Sequence, residues 1–278
     1  MKTLYIFVLL IACTITARAD YWKEVTAIPN PYINNYWLDV YFLPSNPNLG
    51  WVCGFNGMVI RTTDRGASWR GTIVPNADHL EHIHFPSAST GYTSGPDGIY
   101  KSTDGGASWT EVTPFPSLAT FWGCHFVDDN NGIVVGGGCV FKQLFWKTTD
   151  GGTSWTSFEG NEPLSGLTDV LLYDKNGLGY AVSSGVLWQT TDGGVTWQVK
   201  SYSGSKVWQE ELTHNGNSFL FPYAGTDCSG NSRYNGGARF TTNGGSSWND
   251  YNTGIAMFGS YLIRSEERRV GKECRSRW

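Results

Sequence analysis

Acidic and imidazole side chains recur at matching positions of short apolar runs in this sequence. Asp39, His82 and Asp169 occupy equivalent positions in "LDVYF", "EHIHF" and "DVLLY". His84 and His125 lie two residues beyond that position in their own runs. If these side chains converge, they could bind a cation or a sugar, or act as general acid and base. The alternative is a hydrated polar channel that holds no ligand.

The stretch "HLEHIH", which begins at His79, has the side-chain types of a zinc site. A metal ion needs three or more side chains that converge on one point, whereas along a strand only His82 and His84 share a face. We therefore expect neither a metal nor another cofactor here.

Further candidate binding residues are aromatic or lie in long loops. Trp122 and Trp208 stand near the starts of apolar runs, where an indole suits carbohydrate stacking or protein contact, and half-buried packing is the alternative. The expanded loops Gly136–Gln143 and Ala224–Gly237 could carry recognition on a rigid scaffold. The longer loop supplies the remaining candidates, Asp227, Arg233 and Tyr234.

A nine-residue sequence that is typical of a turn occurs five times along the chain. The copies are residues 61–69, 101–109, 147–155, 189–197 and 240–248, from "RTTDRGASW" to "FTTNGGSSW". A spacing of roughly 40 to 50 residues is typical of stacked or radial repeats. The turn must therefore be read as part of a larger unit.

Each repeat unit contains four short alternating runs bounded by Gly, Asn, Asp and Pro. In the first unit they are "LDVYF", "GWVCG", "MVIRTT" and a run that starts at the tryptophan of the turn. Alternating runs of this length are β-strands. Four strands per period without a helical stretch predict an all-β fold, a β-propeller with five complete four-stranded antiparallel blades.

The repeated turn has residue types that suit a structural clip. Its Asp or Asn can accept hydrogen bonds from the backbone N–H groups just after it, its glycine supplies the positive φ of a tight hairpin, and its tryptophan anchors the loop. The residues assigned to this role are Asp64, Gly66, Trp69, Asp104, Gly106, Trp109, Asp150, Gly152, Trp155, Asp192, Gly194, Trp197, Asn243, Gly245 and Trp248.

These turns resemble the Asp-box, or bacterial neuraminidase repeat, with the pattern S/T-x-D-x-G-x-x-W. That repeat occurs in sialidases, sortilin-type receptors, xyloglucan-degrading propellers and photosystem II stability/assembly factor-like proteins. The longer pattern of residues 38–69 and 168–197 is most similar to the last group, and Asn243 and Arg65 are mild departures. The resemblance implies a propeller whose boxes lie away from the usual ligand face.

Two classes of function stay open under this resemblance. Sialidase activity implies three substrate-binding arginines and an Arg-Ile-Pro segment, and this sequence lacks that segment and has few arginines before residue 264. The arginine-rich patch expected in photosystem-associated members is missing for the same reason. A glycoside hydrolase that uses two carboxylates is the alternative. We favour a non-catalytic module that binds a protein or a glycan.

Both ends of the chain differ from the repeats. Residues 1–19 have an apolar run and end in Ala17-Arg18-Ala19, which predicts a cleaved signal peptide and a secreted, periplasmic or cell-surface protein, with lipidation at Cys13 as the alternative. Residues 264–278 resemble the translation of a sequencing adapter. We therefore expect residues 20–263 to be a C-terminally truncated propeller of six or more blades when intact, closed by the strand at Tyr21–Val25.

Residues 20–263 are acidic. Of the 20 Lys and Arg residues in the chain, eight lie in the two ends, as do three of the 24 Asp and Glu residues, so the remainder carries about nine net negative charges. This charge argues against a nucleic-acid partner. No second apolar run is long enough to span a membrane. A Cys124–Cys139 disulfide and buried free thiols are both compatible with the sequence.

Overall fold

The computed structural model describes residues 28–29, 32–113, 120–137, 142–162, 166–183, 185–202, 208–209, 211–224 and 236–254. These residues form 21 β-strands and a short 3-10 turn at Tyr32–Asn34, and they contain no α-helix. None of the helical structure in this described part has the length and apolarity that crossing a membrane requires.

The strands fall into five consecutive groups, which are the blades. Their bounds are, for blade 1, β1 (Trp37–Phe42), β2 (Gly50–Gly54), β3 (Met58–Thr62) and β4 (Arg70–Ile73); for blade 2, β5 (His82–His84), β6 (Gly91–Gly95), β7 (Gly98–Ser102) and β8 (Thr110–Glu111); for blade 3, β9 (Thr120–Phe126), β10 (Gly132–Gly137), β11 (Leu144–Thr148) and β12 (Thr156–Glu159); for blade 4, β13 (Leu167–Leu172), β14 (Gly179–Ser183), β15 (Val186–Thr190) and β16 (Gln198–Tyr202); and for blade 5, β17 (Trp208–Gln209), β18 (Thr213–Asn215), β19 (Ser218–Ala224), β20 (Gly237–Thr241) and β21 (Asn249–Asn252).

Each blade is an antiparallel sheet in which the strands pair in chain order. In blade 5 the first strand is split into β17 and β18, which both pair with β19. The first strands β1, β5, β9 and β13 contact one another in sequence and therefore line the axis. The prediction of a β-propeller with five four-stranded antiparallel blades is confirmed. The expected sixth blade and the closing strand lie outside the described residues.

The repeated turns join the third and fourth strands through a common set of hydrogen bonds. In blade 3, the Asp150 carboxylate accepts the Ser154 amide at 2.9 Å and the Ser154 hydroxyl at 2.6 Å. The Thr148 hydroxyl donates to Asp150 at 2.9 Å and accepts the Gly152 amide at 2.8 Å. The hydrogen bonds from Ser154 lower the pKa of Asp150 to about 2. In blade 5, Asn243 replaces the aspartate and donates its amide N–H to Ser247.

In blades 1 and 2, a glycine and an aromatic residue at the start of the second strand fit the blade against the one that follows. A Cβ at Gly91 would overlap the ring of Phe85 in the same blade, so only glycine fits beneath that ring. The next residue, Tyr92, stacks on Phe126 of the following blade with ring centroids 3.4 Å apart. Trp51 stacks on Phe85 in the same way at 3.6 Å. Blades 1, 2 and 3 are thus joined by a repeated aromatic contact.

Blade 1 exposes the row of side chains that is buried in the blades after it. Val40 and Phe42 are 58% and 39% exposed, whereas the equivalent Ile83 and Phe85 of blade 2 are 0% exposed. The same row contains Phe126 in blade 3 and Leu172 in blade 4, both buried against the preceding blade. Among the described residues, the outer face of blade 1 therefore lacks the neighbour that its pattern fits.

Candidate functional site

The candidate acid and base residues lie on the first strands, at the axis of the propeller. Asp39, His82 and Asp169 share one register position, opposite Cys53, Ser94 and Val182 of their second strands. The pairing shifts just before Asp39 and just before Asp169. A bulge of this kind redirects the side chain that follows it.

The two channel carboxylates hydrogen-bond to the backbone of the next blade. Asp39 accepts the Ile83 amide at 2.8 Å, and Asp169 accepts the Leu212 amide at 2.8 Å. Each carboxylate also accepts the amide of the residue after it, at 2.7 Å. An ionised carboxylate that accepts two N–H groups is a strong local acceptor. Both groups therefore tie one blade to the next.

His82 lies between these two carboxylates. Its Nδ1 is 3.6 Å from Asp39 Oδ2, and its Nε2 is 3.7 Å from Asp169 Oδ1. Burial by itself would lower the pKa of His82, but the charge of Asp39, the contact with the Cys124 sulfur and the charge of Asp169 outweigh it and hold that pKa well above its ordinary value. Burial raises the pKa of Asp169, against the opposing charge of His82. A charged imidazole thus links blades 1, 2 and 4.

Gly123 of blade 3 has no side chain, and this leaves the space through which His82 approaches Asp169 of blade 4. It occupies the register position of Asp39 and His82, and a Cβ there would lie 2.8 Å from Asp169 Cα and 3.2 Å from Asp169 Oδ1. Real Cβ atoms do not approach other atoms at 2.8 Å. Gly123 was not among the predicted site residues. Its signal in the sequence is that it is a glycine at the position where the other first strands have Asp39, His82 and Asp169.

The two deeper histidines are neutral acceptors. His84 Nδ1 accepts the Phe126 amide and His125 Nδ1 accepts the Leu172 amide, each at 3.4 Å and each from the following blade. Their ring centroids are 4.4 Å apart. Burial, together with the charge of His82, lowers the pKa of His125 to about 4, and burial with its two histidine neighbours holds the pKa of His84 well below its usual range.

Cys124, His82 and Asp169 follow one another in the order thiol, imidazole and carboxylate that nucleophilic triads use, but the thiol has no access to solvent. Cys124 Sγ lies 3.5 Å from His82 Nδ1, and Cys124 is 0% exposed. A nucleophile must reach its substrate. Cys124 and Cys53 are buried free thiols, so the Cys124–Cys139 disulfide considered from the sequence is not formed.

Of the other predicted site residues, the structure describes the side chain of Trp122 alone. Trp122 is half-buried, and its indole N–H donates to the Gly137 carbonyl at 3.1 Å. Trp208 starts β17, where only its backbone is described. Asp227, Arg233 and Tyr234 lie outside the described residues, as does most of the loop that contains them. In the described part of the chain, no three His, Cys, Asp or Glu side chains are arranged to hold a metal ion.

A second group of side chains, missed by the sequence reasoning, lies on the upper face of blades 1 and 2. We define the upper face as the end where the chain enters each first strand and turns from the second to the third strand. Tyr36 precedes β1, Phe55 is in the β2–β3 turn, and His79 precedes β5. Phe55 stands directly before the turn pair Asn56–Gly57, a position that exposes a side chain and could have indicated this group.

Several solved structures have the same fold. An ancestral GH74 enzyme matches with a TM-score of 0.65 at 19% identity, covering 83% of this chain and 33% of that chain. The GH74 xyloglucanase from Xanthomonas campestris matches with 0.63 at 15% identity, covering 84% and 41%. This chain therefore spans less than half the length of either enzyme.

Two structures of YCF48, a photosystem II assembly factor, also match. YCF48 from Cyanidioschyzon merolae has a TM-score of 0.55 at 16% identity, covering 87% of this chain and 91% of that chain. YCF48 bound to D1 peptide has 0.52 at 19% identity, covering 65% and 55%. No protein-family model and no curated protein matches the sequence. At these identities the likeness concerns the fold: this chain is a β-propeller similar in architecture to GH74 enzymes and to YCF48.

Proposed function

We propose that this chain is a non-catalytic β-propeller that binds a protein or glycan partner on its upper face. The observation that carries the proposal is the use of the channel carboxylates. Asp39 and Asp169 each accept two backbone N–H groups and lie against His82. A glycosidase needs one carboxyl group to protonate the leaving oxygen and another to attack or to activate water. Asp39 and Asp169 instead accept hydrogen bonds that connect neighbouring blades, which is a structural role.

The structural neighbours support a binding role without identifying the partner. One YCF48 structure contains a D1 peptide, so a propeller of this architecture can hold a peptide. The GH74 enzymes show that the same architecture also supports hydrolysis. Because fold and function are separable, the site has to decide between the two classes. The bonded channel carboxylates favour binding.

The repeat family and the export of the chain are parts of the same proposal. The five turns have the sequence pattern of the Asp-box, and their shared hydrogen bonds are those expected of a clip. Residues 1–19 have the layout of a signal peptide, which would deliver the protein outside the cytoplasm. N-terminal sequencing of the exported protein should begin at Asp20. A first residue within the apolar run would contradict this.

Binding and hydrolysis can be separated with the purified protein. We expect ligands to be retained on a glycan array or from a displayed peptide library, and no release of reducing sugar from xyloglucan or of dye from chromogenic glycosides. Asp39→Asn and Asp169→Asn should leave those ligands bound. Hydrolysis that either variant abolishes, with the fold intact by circular dichroism, would overturn the proposal in favour of a glycosidase.

A further inference from the structure

Three aromatic rings form a row on the upper face of blades 1 and 2, which we call the aromatic ridge (Tyr36, Phe55 and His79). The rings of Tyr36 and Phe55 meet edge to face with centroids 5.8 Å apart, and those of Phe55 and His79 stack at 5.1 Å. Asn35 donates its side-chain amide to the Phe55 carbonyl at 2.9 Å, and Phe55 pairs with His79 in a β-bridge. The ridge is therefore held by the backbone of both blades.

The ridge is open to solvent. Tyr36 is 78% exposed and Phe55 is 38% exposed. Large aromatic side chains gain most from burial against a partner, and they are enriched among the residues that contribute most to binding. Two exposed rings that are already fixed in place lose little conformational entropy when a partner binds.

The charges of these two blades are separated between their ends. In residues 32–113, the upper end has five carboxylates and no lysine or arginine, whereas all four lysines and arginines lie at the opposite end, beside the repeated turns and their two carboxylates. The upper carboxylates are Asp39, Asp78, Glu81, Asp97 and Glu111; the lower end has Arg61, Arg65, Arg70 and Lys101 against Asp64 and Asp104. Such a separation attracts a cationic partner to the upper end.

The carboxylates next to the ridge surround its histidine end. His79 Nε2 is 2.9 Å from Glu81 Oε1, and His79 Nδ1 is 3.4 Å from Asp78 Oδ2. The Asp78 side chain is 78% exposed. Asp97 accepts the Asp78 amide at 2.7 Å, which places a second exposed carboxylate beside the first. Acidic oxygens thus stand within one side-chain length of the rings.

We propose that the aromatic ridge and the flanking Asp78, Glu81 and Asp97 bind an extended peptide segment that carries arginine. The inference rests on the proposed binding function and names its partner class. A guanidinium group can lie flat on the ring of Phe55 or Tyr36 and donate hydrogen bonds to a carboxylate. Alternate side chains of an extended peptide are about 6.6 Å apart. The ring centroids on the ridge are 5.8 and 5.1 Å apart, so side chains two residues apart in such a peptide can reach adjacent parts of the ridge.

The probe is an eight-residue peptide that alternates arginine and serine and has fluorescein at its N-terminus. Its binding to the full chain is measured by fluorescence anisotropy. We expect it to bind more tightly than the same peptide with glutamate, or with citrulline, in place of arginine, and binding should weaken with added salt. Tyr36→Ala and Asp78→Asn should each raise the Kd by about two- to fivefold. Tyr36 is so exposed that its replacement leaves the fold intact.

Matched controls lie away from the ridge. Tyr251→Ala replaces another exposed ring, in β21, and Asp174→Asn removes another exposed carboxylate, at the lower end of blade 4. Neither should change the Kd. Equal affinity for the arginine and glutamate peptides, or an equal loss in Tyr251→Ala and Tyr36→Ala, would overturn the inference. If only the arginine-peptide inference fails, other ligands still bind to the protein. If the proposed binding function fails, the protein instead hydrolyses a glycan substrate.

Discussion

At the scale of single residues, the channel is governed by competition between burial and charge. Three histidines share the channel, yet His82 is held charged while His84 and His125 are held neutral. Desolvation lowers the pKa of all three imidazoles, and only His82 has carboxylates on both sides to reverse the effect. The charge on His82 then suppresses protonation of the two rings below it.

The opposite shifts predict how stability depends on pH. Below its unfolded pKa of about 6.5, His82 contributes its full stabilisation, which is lost as the pH rises through its raised folded pKa. His125 has a folded pKa of about 4, so stability falls as the pH drops from about 6.5 towards about 4. We expect chemical unfolding between about pH 5 and pH 9 to show a maximum.

The variant His82→Gln separates these two contributions. It removes the titrating group on the alkaline side, so its unfolding free energy should be lower than that of the parent but nearly flat above about pH 7. The acid side should be weaker but still present, because burial still lowers the pKa of His84 and His125 although these histidines lose the opposing charge of His82. An unchanged alkaline slope in His82→Gln would show that another group causes it.

At the scale of elements, the second strand determines how blades meet. Its first residue is a glycine in blades 1 to 4, because a ring or a branched side chain of the first strand lies over it. In blades 1 and 2 the residue after the glycine stacks on the following blade through Trp51 and Tyr92. Tyr92 also donates its hydroxyl to the Asp129 carbonyl at 2.7 Å. One short strand thus contributes both packing and a polar contact to the interface.

Replacing Tyr92 tests this interface. Tyr92→Leu should lower the free energy of unfolding by about 2 to 4 kcal/mol, because it removes a fully buried ring and its stacking contact with Phe126. Tyr92→Phe keeps the ring and should cost about 1 kcal/mol for the lost hydrogen bond. Tyr251→Leu, at an exposed ring, should change little. Equal losses in Tyr92→Leu and Tyr251→Leu, by urea unfolding, would contradict the packing role.

At the scale of the whole molecule, the two ends of the disc have different tasks. The repeated turns lie at the lower end, as do the basic residues of blades 1 and 2, where Arg61 and Lys101 donate to carbonyls of the next blade at Gly105 and Gly151. The upper end of blades 1 and 2 has carboxylates and exposed rings instead. The lower end thus bonds neighbouring blades through its basic side chains, and the upper end is where we propose that a partner binds.

The blades could be predicted from sequence because their causes are local. Strand alternation and turn residues such as Asp104 and Gly106 act within one repeat, so a repeated pattern indicates a repeated unit. The contact of His82 with Asp169 could not be predicted, because it depends on the angle between blades and on the space left by Gly123. The aromatic ridge was missed for a related reason: its rings come from three separate loops.

The central claim is that the channel carboxylates tie blades together and perform no catalysis. The most direct test is the thermal unfolding midpoint of Asp169→Asn, compared with Asp174→Asn in an exposed turn. Losing an ionised acceptor of the Leu212 amide and the partner of His82 should lower the midpoint by at least about 3 °C. The Asp174 variant should not move it. A midpoint for Asp169→Asn within about 1 °C of the parent would contradict the account.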